Sequence, residues 1–112
     1  MKRSHALGLA GFLLSLVSGC DNEVETAGLL TLDLEANAFL PCGHEEAWWV
    51  LAPDELMQRY AALEVPPGQS VYARLRGERS ERGRYGHLDS YRYEFEVTEV
   101  VALRRTQTAD CR

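Results

Sequence analysis

Alternation of apolar and polar residues is what most limits the fold of this chain. Leu30, Leu32 and Leu34 alternate with Thr31, Asp33 and Glu35. Val71, Ala73 and Leu75 alternate with Tyr72, Arg74 and Arg76, and Tyr91, Tyr93, Phe95 and Val97 with Arg92, Glu94 and Glu96. A period of two marks a strand with one face buried. Ala47 to Leu51 is apolar throughout, as suits a strand covered on both faces. Only Pro53 to Leu63 reads as a helix. Pro53, Asp54 and Glu55 fit its start, and Leu56, Tyr60 and Leu63 share one face. Phe39-Leu40-Pro41-Cys42-Gly43 reads as a turn or bulge with a large apolar anchor, and Gly77 to His87 as a polar hairpin loop. Val100, Val101 and Leu103 continue the last strand out of phase. Such a slip predicts a bulge that lets one strand serve both halves of a barrel. The set predicts a mainly β fold, a small closed or nearly closed barrel of four to five strands with one short helix.

Ahead of these elements stands a leader. Lys2 and Arg3 precede an apolar run of 12 residues, Ala6 to Val17, and Val17-Ser18-Gly19-Cys20 follows. A basic start, a short apolar run and small residues before a cut site make a secretory signal peptide, residues 1–19. The run falls short of the roughly 20 apolar residues that cross a bilayer as a helix. Val-Ser-Gly-Cys resembles a bacterial lipobox. The resemblance implies that Cys20 receives a diacylglyceryl group and becomes the first mature residue. The expected location is the bacterial cell envelope, lipid-anchored in a membrane and facing the periplasm. Asp21 resembles the signal that keeps lipoproteins at the inner membrane in enteric bacteria. That rule varies between bacteria, so inner and outer membrane both stay open. Residues 20–27 read as the lipidated cysteine and a short acidic tether, and 28–112 as the folded domain.

Removing 19 of the 112 residues leaves 93, enough for one domain with a marginal core. Ten arginines stand against 17 acidic residues in that remainder, a net charge of −7. An acidic domain is repelled by nucleic acid and by anionic lipid headgroups, so neither is expected as a general partner. Cys42 and Cys111 remain as an even pair in an oxidising compartment, and a disulfide between them is expected. The alternative is two free buried thiols.

Gly28 to Leu103 resembles the C-terminal OB-fold domain of NlpE-type envelope lipoproteins. The matching points are the opening Gly28 strand, Phe39-Leu40-Pro41-Cys42-Gly43 and Trp48-Trp49-Val50. They continue with the Leu56 to Leu63 helix carrying Tyr60, then Pro67-Gly68, Val71-Tyr72-Ala73-Arg74-Leu75-Arg76-Gly77 and the final valine-rich strand. The resemblance implies an OB-like barrel, lipid anchoring and a role in the envelope. The family's name-giving protein also has an N-terminal domain with a Cys-x-x-Cys element, which this sequence lacks. Copper handling therefore does not carry over.

The chemistry-bearing residues are few. Cys42, His44, Glu45 and Glu46 are the one cluster of metal-ligand types, but a disulfide would remove Cys42 from it. His87, Asp89 and Ser90 are nearly adjacent, whereas triads converge from separate elements. No enzyme and no cofactor is expected. Arg74, Arg76, Arg79, Arg82 and Arg84 form a basic stretch, either a solvated hairpin balanced by Glu78 and Glu81 or a docking patch for an acidic partner or lipid phosphates. Trp48 and Trp49 should point to opposite faces. The expectation is a non-enzymatic interaction module that binds another envelope protein through the arginine stretch and the outward tryptophan. The alternative is a small-ligand, copper or zinc binding lipoprotein using His44, Glu45 and Glu46.

Overall fold

The structure, a computed structural model, describes residues 22–112. The expected signal peptide, Cys20 and Asp21 lie outside the described residues. Five strands close into a barrel: β1 (Glu23–Thr31), β2 (Ala38–Pro41), β3 (Trp48–Leu51), β4 (Val71–Arg79) and β5 (Glu94–Arg104). Helix α1 (Asp54–Ala62) lies between β3 and β4. Around the barrel the order is β1-β2-β3-β5-β4 and back to β1, with β3 and β5 parallel and every other pair antiparallel. This is an OB-like barrel.

The strands form where inward apolar side chains recur at every second position. Val71, Ala73 and Leu75 point inward from β4, Phe39 from β2, and Trp48 and Val50 from β3. Phe39 stacks on Phe95 at 5.8 Å between centroids, and Trp48 tilts against Phe95 at 5.2 Å. Each such side chain, fully buried, contributes about 1.5–3 kcal/mol. On α1 Leu56 is fully buried, with Tyr60 and Leu63 packed against the core beside it. The expected helical face is therefore the one that closes on the barrel.

The phase slip in β5 is a pair of irregularities. Arg74 faces Ala102 but Leu75 faces Val100, and Arg76 faces Glu99 but Gly77 faces Val97. Val101 and Thr98 are the extra residues. Inward positions become Phe95, Val97 and Val100, and the added twist lets β5 pair with β4 along its length and with β3 at Glu94–Glu96.

Several boundaries differ from the sequence reading. Residues 23–27 are strand rather than tether, because their backbone pairs with Glu78 to Arg74 of β4. Glu23 and Glu25 hid this strand, since their side chains face solvent. From Gly28 onward β1 pairs with β2 as well. A Cβ on Gly28 would stand 2.3 Å from the Leu40 carbonyl oxygen, so only glycine fits between the neighbouring backbones. At its other end β1 stops at Thr31, leaving Leu34 outside the strand and 95% exposed. The segment read as a turn at Phe39 is strand β2, with its turn beginning at Cys42. β4 runs on through Arg79, and β5 starts at Glu94 rather than Tyr91.

A C-terminal strap completes the fold. Residues 105–112 return along the outside of β4 and β1, and Cys111 bonds to Cys42 with Cα atoms 4.8 Å apart. Arg104 donates to both Asp110 carboxylate oxygens at 2.8 and 3.1 Å while its guanidinium lies 4.1 Å over the Tyr72 ring. The Arg105 guanidinium donates to the Leu63 carbonyl at the end of α1. Arg104 and the Gln107 amide together hold the Asp110 carboxyl below its ordinary pKa, and Asp110 raises that of Arg104.

Candidate interaction surface

The five arginines of the basic stretch do not form one patch. Arg74 and Arg76 stand on the outer face of β4, where antiparallel pairing puts Ala27 and Glu25 of β1 beside them. Glu25 reaches Arg76 at 2.8 Å and Arg74 at 3.6 Å, and Glu99 of β5 reaches Arg76 at 3.0 Å. Exposed pairs like these contribute at most about 1 kcal/mol each, but they neutralise both cations. Arg79 lies 4.4 Å over the Tyr93 ring and 5.6 Å from the Trp48 ring, a cation–π position. Arg82 and Arg84 make no ion pair among the described residues.

Those two arginines belong to the hairpin between β4 and β5. Its legs are joined by Ser80 N–H to the Glu94 carbonyl at 2.8 Å, Gly83 N–H to Arg92 at 2.9 Å and a two-way exchange between Tyr85 and Tyr91. The turn is Gly86 to Ser90, with a 3₁₀ turn at His87–Asp89. Gly86 sits on the Trp49 ring at φ 73°, where a side chain would collide with the indole. Leu88 and Asp89 both hold positive φ, 57° and 55°, a conformation that costs a non-glycine residue on the order of 1 kcal/mol. Leu88 is nonetheless 83% exposed. Trp48 and Trp49 do face opposite ways. Trp48 is core, whereas the Trp49 side chain lies on the outer face of β3 beneath the hairpin, 5.3 Å from the Tyr91 ring.

Strand direction fixes where these parts lie. β1, β3 and β5 all start at one end of the barrel, and β4 finishes there, with Glu23 beside Glu78. The hairpin therefore leaves the barrel at the end where the chain enters it. At the far end of β1, Leu32 and Leu34 of the β1–β2 loop face Met57 and Tyr60 of α1 across a groove of about 470 Å³. Met57 is 53% exposed, and the Tyr60 hydroxyl donates to the Gln69 carbonyl.

The metal-type and triad-type residues are each drawn elsewhere. Cys42 is in its disulfide, Glu46 meets Arg92 at 3.4 Å, and the His44 ring stands edge-on to Trp48. Among the described residues no three His, Cys, Asp or Glu side chains meet in metal-binding geometry. The Ser90 hydroxyl donates to the backbone carbonyl of His87 at 2.8 Å, not to its imidazole. Among the described residues no polar or charged residue is buried as a whole, and no helix is long and apolar enough to cross a membrane.

Leu34, Met57 and Leu88 are the surface residues that sequence reasoning missed. Leu34 was hidden by an alternation that outlasts its strand. Met57 sits next to the Leu56 helix anchor, one position off the buried face. A lone leucine between His87 and Asp89 in a polar loop was a usable signal for Leu88.

Comparison with known protein families, with curated proteins and with solved structures finds no match to this chain.

Proposed function

We propose that this protein is a lipid-anchored component of the bacterial cell envelope and acts there as a non-enzymatic, OB-like interaction module. The observation that carries this reading is the opposition of the two ends of β1. Only Asp21 and Asn22 separate Cys20 from Glu23, so a lipid on Cys20 holds that end within about 10 Å of a membrane. The Leu32, Leu34, Met57 and Tyr60 groove then faces away from the membrane, where another envelope protein meets it. An exposed apolar groove on a tethered domain suits an apolar side chain of a protein partner. The disulfide suits an oxidising compartment, and the resemblance to the NlpE C-terminal domain points the same way.

A photoreactive residue at position 57 tests the reading in living cells. One discrete protein adduct that Leu34→Asp abolishes is expected. No adduct, or one indifferent to Leu34→Asp, sinks it. The alternative of copper or zinc binding through His44, Glu45 and Glu46 is disfavoured by the ion pair of Glu46 with Arg92. Equilibrium dialysis of the purified protein decides between them, with retained metal favouring the alternative.

A further inference from the structure

We propose that the β4–β5 hairpin is a membrane-contact loop, with Leu88 entering the acyl boundary and Arg82 and Arg84 meeting lipid phosphates. This rests on the lipid-anchored reading above. Three independent observations support it. The first is position: the hairpin leaves the barrel at the Glu23 end, the end that a lipid on Cys20 keeps at the membrane. The second is the tip. Leu88 is held almost fully exposed in a strained backbone conformation, which gains nothing from packing within the barrel. The rigid base beneath it, Gly86 on Trp49 with Tyr91 alongside, holds the tip in place. The third is composition. Arg82 and Arg84 are unpaired among the described residues, and Tyr85 and Tyr91 flank the tip. An apolar tip, amphipathic rings and guanidinium groups in sequence match the layers of a bilayer surface, acyl chain, interface and phosphate.

The acidic residues set the limits of this contact. Glu23, Glu78, Glu94 and Glu96 line the strand ends behind the hairpin, and Glu81 and Asp89 lie within it. They disfavour flat adhesion of the whole barrel end to an anionic surface. The hairpin itself carries Arg82 and Arg84 against Glu81 and Asp89, with Arg92 paired to Glu46, so its charge is balanced within a negative domain. Contact is thereby confined to the tip, and its role is to orient the barrel so that the distal groove stays open.

The test uses the full lipidated protein in vesicles of phosphatidylethanolamine and phosphatidylglycerol. A diazirine amino acid is placed at position 88 or, separately, at position 34. Lipid adducts from position 88 should exceed those from position 34 by about tenfold, as expected if one end lies in the interface. Arg82→Glu with Arg84→Glu should cut the adducts at 88 by about fivefold or more. Equal yields at the two positions, an unchanged yield in the double variant, or adducts at 88 only to a second protein copy would overturn the proposal. Flotation with the vesicles reads the anchor separately. A protein that does not float fails the anchoring reading, whereas one that floats without lipid adducts at 88 fails the hairpin proposal alone.

Discussion

The two sides of this barrel are held together by different means. On one side β1, β4 and β5 run 9, 9 and 11 residues and share long registers. Their outer faces carry the Glu25, Arg76 and Glu99 ion pairs and lie under the strap. On the other side β2 and β3 have only 4 residues each, paired at Ala38 with Trp49 and at Phe39 with Trp48. So short a ladder is marginal alone. Phe39, Trp48 and Val50 inside, and Trp49 under the hairpin outside, supply what the backbone does not. Where strands are long, the ladder sets the structure and the surface is free to be charged. Where they are short, aromatic side chains must cover both faces.

The largest expected effect tests the pinch point between the two sides. Gly28→Val forces a side chain into the Leu40 carbonyl and should cost at least about 5 kcal/mol, enough to unfold a domain of this size. A cooperative thermal melt near that of the wild type would show that β1 need not pass so closely between β2 and β4.

Next comes the covalent link between the long-strand strap and the turn after β2. Cys111→Ser opens a closed loop spanning 69 residues in sequence and should lower stability by about 4 kcal/mol. Hydrogen exchange should quicken most in β2 and β3, the side with least backbone support. In the wild type, thiol titration should find both cysteines unreactive. Reactive thiols, or loosening confined to β4 and β5, would break the comparison.

Trp49→Ala strips the cover from the short side. A half-buried indole lost from beneath Gly86 should cost about 2 kcal/mol. Exchange at residues 83–91 should rise while β4 and β5 keep their protection. A uniform rise would mean that the hairpin is not a separate lid.

The smallest effect sharpens the view of the strap and is read in pH. Asp110, its side chain 8% exposed, is held below its ordinary pKa by Arg104 first and by the Gln107 amide. A depressed carboxyl stabilises fully above its unfolded pKa of about 3.9 and loses that stabilisation as pH falls from there through the folded value. Asp110→Asn should therefore lower the urea midpoint at pH 7. The gap from wild type should narrow only below about pH 4. A gap constant down to pH 2 would leave the ion pair without a role.

Much of this architecture is legible in the amino-acid sequence because it depends on neighbours one or two positions apart. Val71 to Leu75, Phe95 to Val97 and the Leu56, Tyr60 and Leu63 face read directly as strand, strand and helix, since inward apolar side chains repeat with the period of each element. The out-of-phase Val100 marked the bulge for the same reason, and an even pair of cysteines marked the disulfide. Other features are set across the barrel. Glu23 to Ala27 becomes strand because β4 lies beside it, although Glu23 and Glu25 make the segment read as a polar tether. Arg74 and Arg76 lose their availability to Glu25 and Glu99, residues distant in the chain that register makes adjacent. Leu34 and Met57 meet across a groove, and the hairpin that carries Leu88 leaves the barrel at the end where β1 begins, only because antiparallel pairing fixes which ends coincide. Local alternation determines which residues face inward. Which outward residues meet, and at which end of the barrel, depends on the pairing of strands far apart in sequence, and that was decided only when the sheet closed.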